Sequence, residues 1–533
     1  IQRLWFSWSQ SLIERLGSSS LGLNEHSSAA FQKTADRFKE LDRRHIDGTP
    51  NRIRGIWATN AIEMGIRYPK EQGALLNALN RKRKLPPITQ LFKQSKNVVS
   101  ALKPCWVMSP LSVSMLRPPC EWFDVVIFDE ASQILPTDAI TAIKAGKQVV
   151  VAGDDRQLPP TSFFASGDPK DEEIVEDSEF TDDIQVGNYE SVLSLMKSIV
   201  TKPRQLQWHY RSRDERLIAF SNKRIYKSLI TFPNSNQIGT LNFANAGSGP
   251  DAISKGATNK AEVRKVVELV IEHARNRPNE SLGLIALGSP HANAIESALN
   301  IERDLNQELD EFMELHQDER FFVKNLERVQ GDERDAIILT AGYGRNDKGE
   351  MRYNFGPING KHGERRLNVA TTRAKQRMTL VTTFTELELE KSQCATGGMS
   401  FLRDYVAYVR SGGDNFGDTE VIHPEINAFE RSIQERLERA GLILEPQYGV
   451  GKYLIDFAVR NPKDLSIFAL AVECDGASYH SQPTARERDR LRQELLESRG
   501  WKFHRIWSTD WFRDPDLEVE RCLEALQSAI KDN

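Results

Sequence analysis

Residues Val125–Pro160, VVIFDEASQILPTDAITAIKAGKQVVVAGDDRQLPP, decide the fold of this chain. They hold two short runs rich in β-branched residues, Val125–Phe128 and Gln148–Ala152, which predict two buried parallel strands. Two acids, Asp129 and Glu130, end the first run. Because ligands bind at the carboxyl ends of parallel strands, acids at this point favour a site for phosphate and a divalent cation.

Taken alone, the acidic pair is equally compatible with a surface Asp-Glu pair or with phosphoryl transfer, where one acid holds Mg²⁺ and the other orients the attacking water. The GDDRQLPP that follows the second run favours the catalytic interpretation. DEASQ followed by GDDRQLPP resembles motifs II and III of superfamily 1 helicases, in the 5′-to-3′ branch of the nonsense-mediated-decay helicase. The resemblance gives Asp129, Glu130 and Gln157 catalytic roles and places Asp154 at the nucleotide.

The composition sets the scale of the molecule. A chain of 533 residues is too long for one core, so roughly three or four domains are expected. The net charge of -4 gives no global basic signature, so any nucleic acid must bind in a local groove. Five scattered cysteines without a CxxC pair argue against structural zinc and disulfides and predict a reducing compartment. The resemblance to large bacterial proteins with this layout implies a bacterial cytoplasm. No apolar run approaches the roughly 20 residues of a membrane span.

A motor of this class needs a P-loop, GxxxxGK[ST], to hold the nucleotide phosphates. Gly17 and Gly22 have the glycine spacing but lack the Lys and Ser/Thr that should follow, and Gly451–Lys452 lacks the first glycine and is followed by Tyr453. Family order places the motif upstream of Ile1. We therefore expect the C-terminal part of a longer protein, with the missing N-terminal part as its partner and no ATP turnover by this chain alone.

The resemblance implies an α/β fold with two RecA-like motor domains, the first incomplete. Residues 1–102 are expected to form a helical arm inserted in the first domain, and residues 103–200 its remainder. Within it, Cys105–Leu116 predicts a strand and a turn. Ser109 and Ser112 either grip a nucleic-acid backbone, as the family does here, or cap an ordinary turn.

The second motor domain is expected over residues 201–395. Its LQWHYRSRDERLIAFSNKRIY resembles motif IV, which implies that Tyr210 stacks on adenine and that Arg211 reaches the γ-phosphate of ATP. The triplet His209–Tyr210–Arg211 is too short to be evidence by itself, and its position after motif III is what supports the assignment.

Two further motifs follow in family order. FFVKNLERVQGDERDAIILT resembles motif V, which places Gln330 and Gly331 at the nucleotide and makes Glu333 an acceptor for the ribose. RRLNVATTRAKQRMTLVTT resembles motif VI, with Arg373 as a second arginine finger. Ion pairing between helices is the alternative for all of these charged residues. A linker that contains one helix, FLRDYVAYVRSG, is expected over residues 396–420.

Residues 421–533 change character, with the predicted order helix, strand, strand, helix, strand. Asp456 lies within a strand, and Glu473 and Asp475 lie at the end of another. A carboxylate inside an apolar strand is costly unless it is paired or binds a cation. Two strands that bring Asp456 and Glu473 together would make a site for a hard cation.

This last domain resembles the PD-(D/E)xK nucleases near the very-short-patch-repair endonucleases, through IDF, VECDGASYH, RERDRLRQELLESRGW and RIW. The resemblance implies a restriction-endonuclease-like α/β domain in which Asp456, Glu473 and the Cys474 carbonyl bind Mg²⁺ or Mn²⁺. Glu430 assists through water, and His480 is an acid/base or phosphate contact. Asp475 joins these candidate catalytic residues but stands where the family has lysine, so Arg488 or His480 would have to supply the positive charge. The candidate residues of this domain are therefore Glu430, Asp456, Glu473, Cys474, Asp475, His480 and Arg488.

The expected function is the C-terminal part of an ATP-dependent DNA helicase or translocase, coupled to a metal-dependent DNA endonuclease. Its expected partners are single-stranded DNA in the motor and DNA in the nuclease domain, with a role in anti-phage defence or DNA repair. Two alternatives stay open: an ATP-gated nucleic-acid-binding module with a degenerate nuclease fold, and an RNA helicase.

Overall fold

The computed structural model divides the chain into two compact units, Ile1–Gly153 with Lys170–Ile199, and Asp154–Pro169 with Val200–Asn533. It describes residues 28–81, 85–116, 118, 120–160, 189–235, 239–255, 258–315, 318–415, 426–449, 454–475 and 491–531, and a few positions before residue 28. Across these residues, no helix combines the length and the apolar character needed to cross a lipid bilayer.

The first unit begins with a helical region. Its helices are α1 (Ser28–Arg67), α2 (Pro69–Leu79), α3 (Ile88–Gln94) and α4 (Lys96–Leu102). The Glu71 carboxylate ties α2 to the start of α4, since it accepts hydrogen bonds from the backbone of Asn97 at 2.8 Å and of Val98 at 3.1 Å. The helical character predicted for this region is confirmed over its described residues.

The rest of the first unit is a small α/β layer. It contains α5 (Pro110–Leu116), β1 (Phe123–Phe128), α6 (Pro136–Lys144), β2 (Gly146–Val151) and α7 (Val192–Ile199). The prediction of a strand within Cys105–Leu116 is wrong, because the only regular element there is α5. An alternation of serine and apolar residues in PLSVSML satisfies a short exposed helix as well as a strand.

Strands β1 and β2 are parallel, in a register that runs from Phe123 opposite Gly146 to Phe128 opposite Val151. The parallel pairing is therefore confirmed, but the predicted burial is wrong. Val125 is 44% exposed and Ile127 is 68% exposed. The described part of this unit has two strands in the sheet, and apolar residues of α6 and α7 pack on one face only.

The second unit is built on a five-stranded parallel sheet in the order β3-β9-β8-β6-β7. Its strands are β3 (Leu241–Asn245), β6 (Leu282–Ala286), β7 (Phe322–Asn325), β8 (Arg334–Thr340) and β9 (Ala374–Thr382). A small hairpin of β4 (Ser254–Lys255) and β5 (Thr258–Asn259) precedes β6. The helices are α8 (Arg216–Ser221), which continues into a π-helical turn at Asn222–Tyr226, then α9 (Lys260–Asn276), α10 (Ser289–Leu305), α11 (Gln307–Leu315), α12 (Gly363–Thr371) and α13 (Gly397–Arg410).

Helices cover both faces of this sheet. Alternate residues of β8 point to opposite layers, with Ile338 in the core under α9 and α10, and Leu339 in the core under α13. Helix α13 confirms the helix predicted within the linker, but Phe401 and Tyr405 are among the most buried of the described residues. The linker interpretation is therefore wrong for this helix, whose apolar face is part of the core.

The C-terminal part forms a four-stranded sheet in the order β10-β11-β12-β13. Its elements are α14 (Ala428–Arg439), β10 (Leu444–Tyr448), β11 (Ile455–Asn461), β12 (Asp464–Asp475), α15 (Arg492–Glu497), β13 (Phe503–Trp507), α16 (Ser508–Arg513) and α17 (Pro515–Lys531). The predicted order omits β10, α16 and α17. Pro446 and the polar residues Glu445 and Gln447 hide β10, which is an edge strand where proline is tolerated.

Candidate functional sites

The acidic pair lies in the turn that follows β1. Glu130 has a left-handed backbone (φ 51°) and its N–H donates to Asp129 Oδ1 at 2.9 Å. Hydrogen bonds from Ala131 to Ala152 and from Ala152 to Phe128 hold this turn against the end of β2. A non-glycine residue in this conformation needs such support. The turn therefore presents two carboxylates at the carboxyl edge of a parallel sheet, as predicted.

Gln157 and Asp154 belong to a polar network in the second unit. Gln157 Nε2 donates to Asp154 Oδ2 at 3.0 Å, and the Tyr226 hydroxyl donates to the same oxygen at 2.7 Å. Asn368 on α12 donates to the Tyr226 hydroxyl and to the Arg156 carbonyl. Sequence reasoning missed Tyr226 and Asn368, because only the fold brings positions 154, 226 and 368 together.

Two atoms of this network, Gln157 Oε1 and Asn368 Oδ1, are available for a ligand. Gln157 Oε1 is buried and has no hydrogen-bond partner among the described residues. A buried amide oxygen without a partner costs roughly 1–3 kcal/mol, so it is a natural acceptor for a bound polar group. The catalytic role that the resemblance gives Gln157 stays a prediction, and a free acceptor at this position is compatible with it.

Arg211 meets residues from motifs V and VI. Its Nε donates to Glu333 Oε2 at 2.6 Å, and its Nη1 lies 3.5 Å from the Thr372 carbonyl. Lys375 Nζ lies 3.6 Å from Glu333 Oε1, and the Arg213 N–H donates to the Lys375 carbonyl at 2.7 Å. Three stretches that are far apart in sequence therefore converge, and in this conformation Arg211 and Glu333 form an ion pair.

The turn that carries Arg211 is closed by His209. The His209 Nε2 atom accepts from the Ser212 N–H at 3.2 Å, so the ring proton lies on Nδ1. Burial, reinforced by the charges of Arg211, Arg499 and Arg373, lowers the pKa of His209 to about 3. The imidazole is therefore neutral at physiological pH and acts as a fixed acceptor.

The other predicted nucleotide contacts differ in exposure. Tyr210 is 77% exposed, as a stacking platform for a base should be. Gly331 has a φ of 86°, which lets the chain turn next to Gln330. Arg373 is only 2% exposed, and its Nε donates to the Val369 carbonyl at 2.9 Å. Its guanidinium points inward, and its role as an arginine finger stays a prediction.

The two serines near α5 lie at the start of that helix. Ser109 Oγ accepts from the Ser112 N–H at 3.2 Å, and the two hydroxyl oxygens are 3.0 Å apart. Ser109 thus makes the contact of a helix cap. Contact with a nucleic-acid backbone stays a prediction for both residues.

The predicted nuclease carboxylates lie on neighbouring antiparallel strands. The register pairs Phe457 with Val472 and, continued by one residue, places Asp456 opposite Glu473 on one face of the sheet. Asp456 Oδ2 accepts from the Cys474 N–H at 2.7 Å. Two facing carboxylates beside a strand-end carbonyl are a donor set that suits Mg²⁺ or Mn²⁺. No cluster of three or more metal-ligating side chains occurs among the described residues.

Arg492, the first residue of α15, was not singled out in the sequence. Its Nη2 donates to Glu473 Oε2 at 2.6 Å, and the Glu473 side chain is 6% exposed. Burial, with the nearby charge of Arg505, lowers the pKa of Arg492 to about 9, so it stays charged at neutral pH. A positive charge is thus held beside the predicted metal ligand.

The remaining predicted nuclease residues have different outcomes. Glu430 forms a capping box with Asn427 at the start of α14, and Gln447 Nε2 donates to it at 3.3 Å. A structural role accounts for Glu430, and its catalytic role stays a prediction. Asp475 is the last residue of β12. His480 and Arg488 lie outside the described residues.

Comparison with known protein families assigns the AAA part and the C-terminal part of the chain to families. Models described as AAA domains match residues 107–164 and 189–384, and the model REase_MTES_1575 matches residues 429–526. The chain therefore carries AAA helicase domains of the superfamily 1 type, related to the nonsense-mediated-decay and DNA2 helicases, followed by a restriction-endonuclease-like domain. The family and the mixed α/β architecture predicted from the sequence are both confirmed.

The chain is similar to three curated proteins. An uncharacterized ATP-dependent helicase of Mycoplasma pneumoniae, the MG140 homolog, is 31% identical over 83% of this chain and 40% of its own length. The uncharacterized ATP-dependent helicase MG140 of Mycoplasma genitalium is 31% identical over 81% of this chain and 39% of its own length. The DNA replication ATP-dependent helicase/nuclease DNA2 of Gallus gallus is 28% identical over 49% of this chain and 23% of its own length. The chain thus spans about two fifths of the two Mycoplasma relatives.

Proposed function

We propose that this chain is the C-terminal part of an ATP-dependent DNA helicase or translocase that carries a metal-dependent endonuclease. The observation that carries the motor assignment is the meeting of Arg211, Glu333 and the Thr372–Lys375 segment in one place. Arg211 and Lys375 are cations of the kind that a phosphoryl-transfer site uses to stabilise charge on the γ-phosphate, and Glu333, the proposed ribose acceptor, contacts both of them. Asp129 would hold Mg²⁺, and Glu130 and Gln157 would orient the attacking water.

The first AAA domain is proposed to be completed by residues outside this chain. No GxxxxGK[ST] sequence occurs in the 533 residues. The exposure of Val125, Ile127 and Val150 on β1 and β2 supports this proposal, because parallel strands are normally covered on both faces. This chain alone should then hydrolyse no ATP.

ATP turnover by the full-length protein tests the motor assignment. The Glu130→Gln variant should lower kcat by at least about 100-fold, since removing a catalytic base costs about 10²–10⁴-fold. Asp124→Asn is the matched control, because this neighbouring acid has a side chain that is 88% exposed and should be dispensable. Turnover by Glu130→Gln at the parent rate would refute the assignment. Stimulation by single-stranded DNA rather than RNA would favour a DNA motor.

For the last domain, we propose cleavage of DNA with Asp456 and Glu473 as metal ligands. Arg492 is proposed to supply the positive charge that the family draws from the lysine replaced here by Asp475. The name of the Gallus gallus relative, a helicase/nuclease, supports a motor coupled to a nuclease. A defence or repair role would follow from that coupling.

A second candidate function for this domain is DNA binding without cleavage. It is favoured by the engagement of both carboxylates, Glu473 with Arg492 and Asp456 with the Cys474 N–H. A metal ion would have to compete with these partners. The Asp456→Asn variant separates the two candidates, because it should abolish metal-dependent cleavage and leave DNA binding within about threefold, since Asp456 holds the metal and other residues make the phosphate contacts.

A further inference from the structure

A buried arginine of the restriction-endonuclease-like domain reaches the second AAA domain. Arg499 lies just beyond α15 and is 7% exposed. Its Nη2 donates to the Ser212 carbonyl at 2.9 Å, and its Nε donates to the Arg213 carbonyl at 3.1 Å. Its Nη1 donates to the Leu495 carbonyl of α15 at 3.1 Å. One rigid guanidinium thus joins two adjacent backbone carbonyls of the motor to a helix of the other domain.

The surroundings compensate the buried charge. Burial lowers the pKa of Arg499 to about 10, against the opposing effect of Glu215 and Asp214, so the group stays charged at neutral pH. These two acids are 5% and 3% exposed and belong to the motor. An uncompensated charge at this depth would be strongly destabilising, so the contact is a specific one.

The contact is also closely fitted. Ser235 Oγ of the motor donates to the Arg499 carbonyl at 3.1 Å, and Trp501 Nε1 donates to the Pro233 carbonyl at 2.9 Å. Gly500 has a φ of 87°, and a Cβ there would lie 2.6 Å from Ser235 Oγ. A side chain at this position would need a strained backbone and a shift of the Ser235 hydroxyl, so glycine is favoured and residues 499–501 pack closely against the motor.

The two carbonyls belong to the turn that carries Arg211. The turn is closed by His209 on one side, and the Arg213 N–H donates to the Lys375 carbonyl on the other. Arg499 therefore restrains the backbone at the two residues that directly follow Arg211. A displacement of this turn by about 1 Å is enough to lower a rate by about 100-fold when the displaced group acts in the transition state.

We propose that Arg499 is a positioning residue of the motor's nucleotide site. Through Arg499, the docked restriction-endonuclease-like domain holds the turn that carries Arg211 in its position. ATP turnover then depends on this docking, and the endonuclease-like domain is a structural part of the ATPase. The functional half of this proposal rests on the assignment of Arg211 to the nucleotide. The structural half, restraint of the turn, does not.

Hydrogen exchange on this chain tests the restraint. In Arg499→Ala, amides of residues 209–213 should exchange faster by about tenfold or more, because a charge-assisted hydrogen bond to each carbonyl is lost. Strands β6 and β8 should exchange as in the parent. Arg499→Lys should be intermediate, since one ammonium cannot reproduce the planar fork. The matched control is Arg439→Ala, whose side chain is 73% exposed.

Two results would overturn the restraint. One is amide hydrogen exchange at residues 209–213 of Arg499→Ala that is as slow as in the parent protein. The other concerns Arg499→Lys, which decides if Arg499→Ala also loses protection from exchange in the sheet formed by strands β10 to β13. Exchange of the amides of residues 209–213 at the parent rate in a folded Arg499→Lys protein would then refute the proposal.

ATP turnover by the full-length protein tests the functional half. Arg499→Ala should lower kcat by about 10- to 100-fold with a smaller change in KM, because Arg211 acts on charge that develops in the transition state. If Arg499→Ala has the kcat of the parent protein although the amides of the turn exchange faster, the link between the restraint and ATP turnover is refuted. If the parent protein itself hydrolyses no ATP, the proposed motor function fails, and the exchange result still decides whether Arg499 restrains the turn.

Discussion

Trp501 offers the most direct test of how the restriction-endonuclease-like domain is attached to the motor. The side chain is 1% exposed and packs in one cluster with Phe232 of the motor and with Phe468 and Tyr448 of its own domain. Its Nε1 donates to the Pro233 carbonyl at 2.9 Å. Truncating a buried tryptophan costs about 3–5 kcal/mol, and the unsatisfied carbonyl adds about 1–3 kcal/mol.

The sum for Trp501→Ala is therefore about 4–8 kcal/mol, a large share of the roughly 5–15 kcal/mol that stabilises a folded domain. Trp501→Phe keeps most of the packing and should cost about 1–3 kcal/mol through the lost hydrogen bond. Urea denaturation followed by circular dichroism measures both free energies. The control Leu465→Ala, at a site 53% exposed in the same domain, should change stability by less than about 0.5 kcal/mol. A loss below about 1 kcal/mol for Trp501→Ala would refute the reasoning.

Other predictions concern charge and packing. The pKa of His209 is about 3 in the folded chain and near 6.5 in the unfolded chain, so the unfolded state binds the extra proton between these values. The contribution of His209 to the free energy of unfolding should be fully present above about pH 6.5, and the free energy should be about 2 kcal/mol lower at pH 5. The His209→Gln variant should lack this part of the pH dependence in denaturation curves. Gly398→Ala would place a Cβ 2.0 Å from the Ile358 carbonyl oxygen and should cost about 1–3 kcal/mol in thermal unfolding, whereas Gly48→Ala, with open space, should be neutral or stabilising. Arg492→Ala should abolish DNA cleavage while Arg492→Lys retains part of it, and cleavage at the parent rate by Arg492→Ala would contradict its role.

The sequence was sufficient for features that local patterns determine. The strands that end at Phe128 and Thr340 follow from short β-branched runs bounded by turn residues, and the parallel pairing of β1 with β2 follows from the motif order. Gly441, with a φ of 90°, ends α14 one residue after its cap, as a glycine in this sequence context should.

Tertiary partners could not be predicted in the same way. Arg492 and Asn368 lie in helices whose patterns indicate only an amphipathic surface, and their roles come from Glu473 and Tyr226, which are distant in sequence. The exposure of Ile127 depends on what covers the sheet rather than on the strand itself. Local propensity and pattern carry no information about such contacts.

Cleavage of plasmid DNA tests the central claim most directly, since it asks whether a motor-type chain carries a working nuclease. The parent and Asp456→Asn should be compared with Mg²⁺ and with Mn²⁺, both as this chain and as the full-length protein with ATP. We expect metal-dependent cleavage by the parent and none by Asp456→Asn, with DNA still bound. Equal cleavage by both proteins, or cleavage by neither even with ATP, would contradict the account.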